Sequence, residues 1–192
     1  MGHFRKSSGT KTVVFRGKHR YEHWYRDNQV YFITARCRAK FAAFASEQAK
    51  GIFWHRFEHY ALEHGFVPWV TTLLDNHYHT LGYLAVGEQL GPMMRKIHGS
   101  VAKWVNDLLP MRHLPFWREA GHRDYFDGCL RDARQYRLAY RYTLTQARRH
   151  GLTPDWRTYP HTRVRVELEE GLKLALEKQA FMEGVPYKRY MH

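Results

Sequence analysis

Covalent staples and membrane anchors are scarce in this chain. It has two cysteines, Cys37 and Cys129, far apart and outside any CxxC pair. That excludes a Cys-based zinc framework and a disulfide scaffold, and sets the expectation of a reduced, cytoplasmic protein. No apolar run reaches the roughly 20 residues that cross a bilayer, so no membrane partner is expected. The N-terminus, MGHFRKSSGTKTVVFRGKHR, is basic but lacks an apolar stretch, which does not fit a signal peptide. There is no internal repeat and no low-complexity tract. Acidic side chains are few: 18 Asp and Glu against 31 Lys and Arg, a formal net charge of +13. Such a surface attracts polyanions, of which phosphate backbones are the commonest, and a nucleoid-associated protein is one expectation. What is present is ample material for a core. The 192 residues are 44% hydrophobic and 16% aromatic, enough for one folded domain and incompatible with a disordered tail.

Turn residues and hydrophobic periods divide the chain. Residues 1–27 carry seven Lys and Arg against Glu22 and Asp27 and read as a basic arm that becomes ordered near Tyr21. QVYFITARCR (29–38) is β-branched and aromatic, a strand. Residues 41–65 place Phe53, Phe57, Tyr60 and Ala61 at helical spacing, with Gly65 as the stop. FVPWVTTLL (66–74) and HYHTLGYLA (77–85) flank Asp75-Asn76 and read as a β-hairpin. Residues 87–109 form a second helix with Met94, Ile97, Val101, Trp104, Val105 and Leu108 on its apolar side. Residues 114–130 read as two short edge strands, 131–151 as a third helix stopped by Gly151, and about 165–182 as a final amphipathic helix. The order β-α-β-β-α-β-(β)-α predicts an α+β, ferredoxin-like antiparallel sheet with helices packed mainly on one face and a C-terminal helical extension.

The segment LLDNHYHTL (73–81) holds the chemistry-bearing pair. In a strand, residues i and i+2 share a face, so His77 and His79 converge while Tyr78 points away. Neutral imidazoles suit borderline divalent ions, and Mg²⁺ or Mn²⁺ accepts them when phosphate oxygens complete the shell. Two unremarkable strand histidines remain an alternative in a chain with 14 of them. A second feature lies in the third helix. Ala133, Tyr136, Tyr140, Leu144 and Ala147 form its packing stripe, and Tyr142 lies about 200° round the axis from its neighbours two residues away. It is a surface tyrosine or a nucleophile offered to a substrate, with Gln146 one turn on as a neutral oxygen ligand. Arg131, Arg134, Arg137, Arg141, Arg148 and Arg149 stand around it against one acid, Asp132, a field suited to DNA phosphate and to a developing phenolate.

DNHYHTL resembles the PNHxHxL segment of the HUH single-tyrosine (Y1) transposases of IS200/IS605 type, and of the REP-associated tyrosine transposases most of all. VYFITARCRAKF resembles their opening strand. LGPMMRKIHGSVAKWVN resembles the helix after the histidines, and FWREAGHRDYFDGCLRD their Trp, basic and aromatic-Asp segment. YTLTQARRHGL resembles YIxxN(P)xRAGL, which sets Tyr142 on the catalytic tyrosine and Gln146 on the Asn/Gln ligand. The likeness covers roughly residues 28–153, leaving 1–27 and 154–192 as extensions outside it. It departs at Leu74-Asp75 for Met-Pro, at Gln146-Ala147 for Asn-Pro, and at ARRHG for PVRAG.

The resemblance implies one Mg²⁺ or Mn²⁺ held by His77, His79 and Gln146, and Tyr142 attacking single-stranded DNA to form a 5′-phosphotyrosine. It implies strand transfer on hairpin-bearing DNA, by a monomer or a homodimer. Arg36, Arg38, Lys40, Arg95, Lys96, Lys103, Arg141 and Arg149 are the candidate phosphate contacts. Two other readings differ in class. A domesticated hairpin-DNA-binding protein without transposition activity would bind but form no adduct. A metal-dependent hydrolase would cleave through water, and on the sequence it lacks a third histidine or clustered carboxylates near the pair.

Overall fold

A computed structural model describes residues 25–117 and 124–184. Five strands form one antiparallel sheet: β1 (Gln29–Arg36), β2 (Phe66–Leu73), β3 (His77–Leu84), β4 (Phe126–Leu130) and β5 (Thr162–Val164), in the order β4-β1-β3-β2-β5. The first four have the ferredoxin-like order expected from the sequence. The hairpin turns at Leu74, whose N–H donates to His77 O at 2.8 Å. Trp69 is the extra residue of a bulge in β2, where pairing shifts between Pro68 and Val70.

Strand alternation sorts the core into two layers. Tyr31, Ile33, Ala35, Leu73 and Tyr78 face α1 (Glu47–Glu63) and α2 (Leu90–Asn106). Ser46 caps α1, its hydroxyl accepting from Ala49 N–H at 3.2 Å. The buried stripe of α2 is Leu90, Met93, Met94, Ile97, Val101 and Val105. Trp104, expected in that stripe, is instead 43% exposed and lies under Arg56 and Lys103; Leu108 is exposed as well, beyond the helix end. On the opposite face Val30, Val70, Leu81 and Trp69 meet α3 (Ala133–Leu144) and α5 (Leu168–Glu183). Packing mainly on one face thus describes α1 and α2, while the later helices cover part of the other.

Several boundaries differ from the sequence reading. The helix expected over 131–151 breaks at Thr145, whose hydroxyl turns back to Arg141 O at 2.8 Å, and resumes as α4 (Gln146–Arg149). Asp127-Gly128, within the second expected edge strand, lie inside β4, paired to Ile33 and Phe32. Of the first expected edge strand, Leu114–Trp117 form none: Phe116 and Trp117 plug the α1/α2 core. Its remaining residues, 118–121, and the basic arm up to residue 24 lie outside the described residues. The sequence pattern assigns no element to Thr162–Val164, which form β5. It is a strand because β2 offers it an edge, and its pairs are Val164 with Val70, Arg163 with Thr71 and Thr162 with Thr72. The segment after residue 153 therefore completes the sheet. Among the described residues, no helix is long and apolar enough to cross a membrane.

α5 reaches the sheet because Gly171 has no side chain. A Cβ there would stand 2.8 Å from the Trp69 indole. Gly171→Ala is expected to destabilise the protein by about 1–3 kcal/mol through overpacking. Gly51→Ala, in the exposed middle of α1 with nothing within 4 Å, should stabilise it by about 1 kcal/mol. Urea denaturation of both variants checks the contrast.

Candidate active site

The site is built on one row of the sheet. The pairings align Phe126 of β4, Thr34 of β1, His79 of β3, Thr72 of β2 and Thr162 of β5. Directly opposed residues of antiparallel strands point to the same face, so this row faces α3. Thr72 joins the sheet to that helix, donating from Oγ1 to Thr143 O at 2.8 Å and standing 3.0 Å from Thr162 Oγ1. Tyr140 OH donates to Val166 O at 3.2 Å and fastens the helix to the segment before α5. Asp132 caps the start of α3, its carboxylate accepting from Gln135 N–H at 2.8 Å.

With the helix so held, Tyr142 stands over the histidines. Its ring centre is 5.1 Å from that of His79, edge to face, and 5.8 Å from Phe32. Phe32 lies parallel to His79 at 5.9 Å, so its ring packs beside the site from its place in the sheet. Tyr142 is 41% exposed while Tyr136 and Tyr140 are buried, and the Arg149 guanidinium sits 4.9 Å over its ring. His77, His79, Tyr142 and Gln146 line one cavity of about 330 Å³. Thr34, Arg36, Lys40, Asn76, Phe126 and His150 complete its wall.

Each imidazole is held by its Nδ1. His77 Nδ1 is 2.6 Å from Asn76 Oδ1. A carbonyl oxygen only accepts, so that nitrogen carries the proton and Nε2 keeps its lone pair. Asn76 is itself oriented by donating from Nδ2 to Lys40 O at 3.1 Å. His79 Nδ1 is 2.7 Å from Thr34 Oγ1; with the ring as donor, Nε2 is again free. Gln146 donates from Nε2 to Tyr142 O at 2.8 Å, which leaves the amide oxygen available. Burial, reinforced by His150 and Arg36, lowers the His77 pKa from 6.5 to about 4. Burial, with His77, His150, Arg36 and Arg149, lowers that of His79 to about 3. Both rings are therefore neutral at pH 7 and carry lone pairs. Two neutral imidazoles and an amide oxygen are a donor set that fits a divalent cation whose shell a phosphate completes. Among the described residues no three His, Cys, Asp or Glu side chains are grouped to hold a metal, so a third protein donor beside the two imidazoles would be the Gln146 amide.

The expected phosphate contacts divide. Arg36 and Lys40 line the cavity, and Arg149 covers Tyr142. Arg141 is exposed on α3 beside it. Arg38 donates to Leu114 O at 2.8 Å. Arg95, Lys96 and Lys103 are on α2, across the sheet from the cavity; Lys96 pairs with Glu63. The expectation that no third histidine stands near the pair is corrected: the His150 ring is 5.0 Å from that of His77. Its signal was present in the sequence, since Tyr142, Gln146 and His150 follow at four-residue steps. Thr34 and Asn76 were also missed as holders of the imidazoles. Asn76 read as turn chemistry, and Thr34 comes into reach only through strand pairing.

The pKa shifts set a stability window. Below pH 6.5 the unfolded chain protonates these histidines while the folded one does not. Their contribution is complete above pH 6.5 and is lost as pH falls through about 4 for His77 and about 3 for His79. The urea midpoint should drop across that interval, and the drop should shrink in a His77→Gln, His79→Gln double variant.

No family model matches the chain, and no curated protein matches its sequence. Solved structures do match in three dimensions. A REP-associated tyrosine transposase bound to a REP hairpin superposes with a TM-score of 0.65 at 16% identity, over 81% of this chain and 88% of that one. A provisionally assigned transposase from Deinococcus radiodurans gives a TM-score of 0.44 at 11% identity, over 59% and 87%. The first likeness shows that this chain shares the fold of that tyrosine transposase.

Proposed function

We propose that the protein cleaves and rejoins single-stranded DNA through Tyr142, acting as a Y1-type transposase or strand transferase on hairpin-bearing DNA. The observation that carries this reading is the contact of Tyr142 with His79, 5.1 Å between ring centres within one chain. The fold shared with a hairpin-bound tyrosine transposase supports the substrate class.

His77, His79 and Gln146 would hold a Mg²⁺ or Mn²⁺ ion, which supplies Lewis-acid charge toward a scissile phosphate. Arg36 and Lys40 in the cavity wall attract and orient the phosphate, at a place where like charges already repel protons from the histidines. The Tyr142 oxygen attacks phosphorus as its proton leaves. The bond from phosphorus to the 3′ oxygen breaks, that oxygen takes a proton, and a 5′-phosphotyrosine forms. The energy of the broken ester is kept in the new one, so a 3′-OH can attack the link, rejoin the DNA and release the phenol. Arg149, over the ring, stabilises negative charge developing on the oxygen. The hydroxyl is presented by the same chain that holds the histidines, which favours action in cis.

Incubation with labelled hairpin-bearing single-stranded DNA and Mn²⁺, followed by boiling in SDS, should yield a labelled band at protein mass. Tyr142→Phe should abolish that band while DNA affinity changes less than about twofold. Binding without an adduct would favour the domesticated hairpin binder; cleavage without one, by a Tyr142→Phe protein, would favour the hydrolase. Asn76→Ala removes the acceptor that holds His77. It should weaken Mn²⁺ binding by about tenfold to a hundredfold, as loss of an orienting partner does, measured by calorimetry on protein whose circular dichroism is unchanged.

A further inference from the structure

The histidine pair has a neighbour that the proposed chemistry does not use. His150 follows α4, and its backbone is held at the cavity rim, its N–H donating to Gln146 O at 3.0 Å. Its side chain is exposed yet lines the same cavity as the pair. Its ring centre lies 5.0 Å from that of His77, almost the 5.1 Å that separates His77 from His79. Two imidazoles bound to one ion at about 2.1 Å have ring centres roughly 5 Å apart. His150 is also a point where ARRHG departs from the PVRAG that the segment otherwise resembles.

The donor chemistry points the same way. Among the described residues no carboxylate lines the cavity, and two cationic side chains, Arg36 and Lys40, do. A hard ion such as Mg²⁺ finds one amide oxygen there that no ring nitrogen already engages, that of Gln146, whereas borderline ions take imidazole nitrogen.

We propose that His150 is a third imidazole ligand, and that the site therefore selects transition ions such as Mn²⁺, Co²⁺ and Zn²⁺ over Mg²⁺. The inference rests on the cation site of the preceding reading. The three rings are not grouped to hold an ion as they stand, so His150 must turn about its side-chain bonds to close on one. Its exposure leaves that rotation free, as it is not for His77 and His79, which are buried and tied at Nδ1.

The test uses untagged full-length protein and the metals alone. Calorimetry with Zn²⁺, Co²⁺ and Mg²⁺, and visible absorption of the Co²⁺ form, are compared for wild type, His150→Ala, His150→Gln and His77→Ala. Zn²⁺ and Co²⁺ affinity should fall about tenfold or more in both His150 variants, at least the loss an outer partner would cause. The Co²⁺ spectrum should change, and the weaker Mg²⁺ affinity should not. Equal Co²⁺ and Zn²⁺ affinities with identical spectra in wild type and both His150 variants would overturn the proposal. If His77→Ala then abolishes binding, the cation site stands and only the role of His150 falls. If wild type binds none of these ions, or His77→Ala binds them unchanged, both readings fall. Position 150 is exposed and contributes nothing to the core, so unchanged circular dichroism of the two His150 variants is the expected control.

Discussion

The pairing of β3 between β1 and β2 is the constraint on which the site depends. One strand there serves two faces. Tyr78 is driven into the α1/α2 core, where its ring lies 4.8 Å from that of Phe53 and its hydroxyl stands 3.0 Å from His98 Nε2. That burial commits His77 and His79 to the opposite face, since a slip of one residue would exchange them. The same register sets Thr34 opposite His79 on one side and Thr72 on the other. The first holds the imidazole. The second holds the helix that carries Tyr142. The distance between His79 and Tyr142, far apart in sequence, is thus reduced to the geometry of a sheet.

The turn before the histidines is secured from several directions. Lys50, nearly buried, reaches Asp75 at 3.1 Å, and Phe44 N–H donates to Asp75 O at 2.8 Å. Tyr159 OH donates to Leu73 O at 2.9 Å, and Leu73 N–H to His161 O at 2.9 Å. His161 is in turn fixed: Trp54 Nε1–H donates to its Nδ1 at 3.2 Å, so its Nε2–H faces Glu47 at 3.0 Å. That contact holds the Glu47 carboxyl below its ordinary pKa. Residues 159–161 lie beyond the stretch whose sequence motifs resemble a transposase, yet they brace the strand that leads into the histidines. The C-terminal segment is part of the scaffold of the site.

Charge and burial act together in the cavity. Burial keeps the two histidines neutral, and neighbouring cations push in the same direction. Arginine and lysine at the wall would repel a bare cation but attract a phosphate. On the proposed reading, a metal ion would enter this site more readily with a phosphate than as a bare cation. The positive surface as a whole is less specific. Arg95, Lys96 and Lys103 are as basic as Arg36 and Lys40, but they lie across the sheet, and Lys96 is already paired with Glu63.

The sequence by itself determined the elements with strong periods and clear stops. The hairpin around Asp75-Asn76, the common face of His77 and His79, the packing stripe of α3 and the outward Tyr142 are all local consequences of two-residue and 3.6-residue repeats. The order of elements was enough for the ferredoxin-like sheet, because short antiparallel connections leave few alternatives. Only the tertiary structure decided what depends on a partner element. β5 is a strand because β2 has a free edge, and Phe116 and Trp117 leave the sheet because the core has room for two aromatic rings. Trp104 stands outside the α1/α2 core, under the side chains of Arg56 and Lys103. Thr34 and Asn76 become holders of imidazoles, and His150 a neighbour of His77, only when strands and helix meet. Those contacts are set by register and packing, which no local pattern encodes.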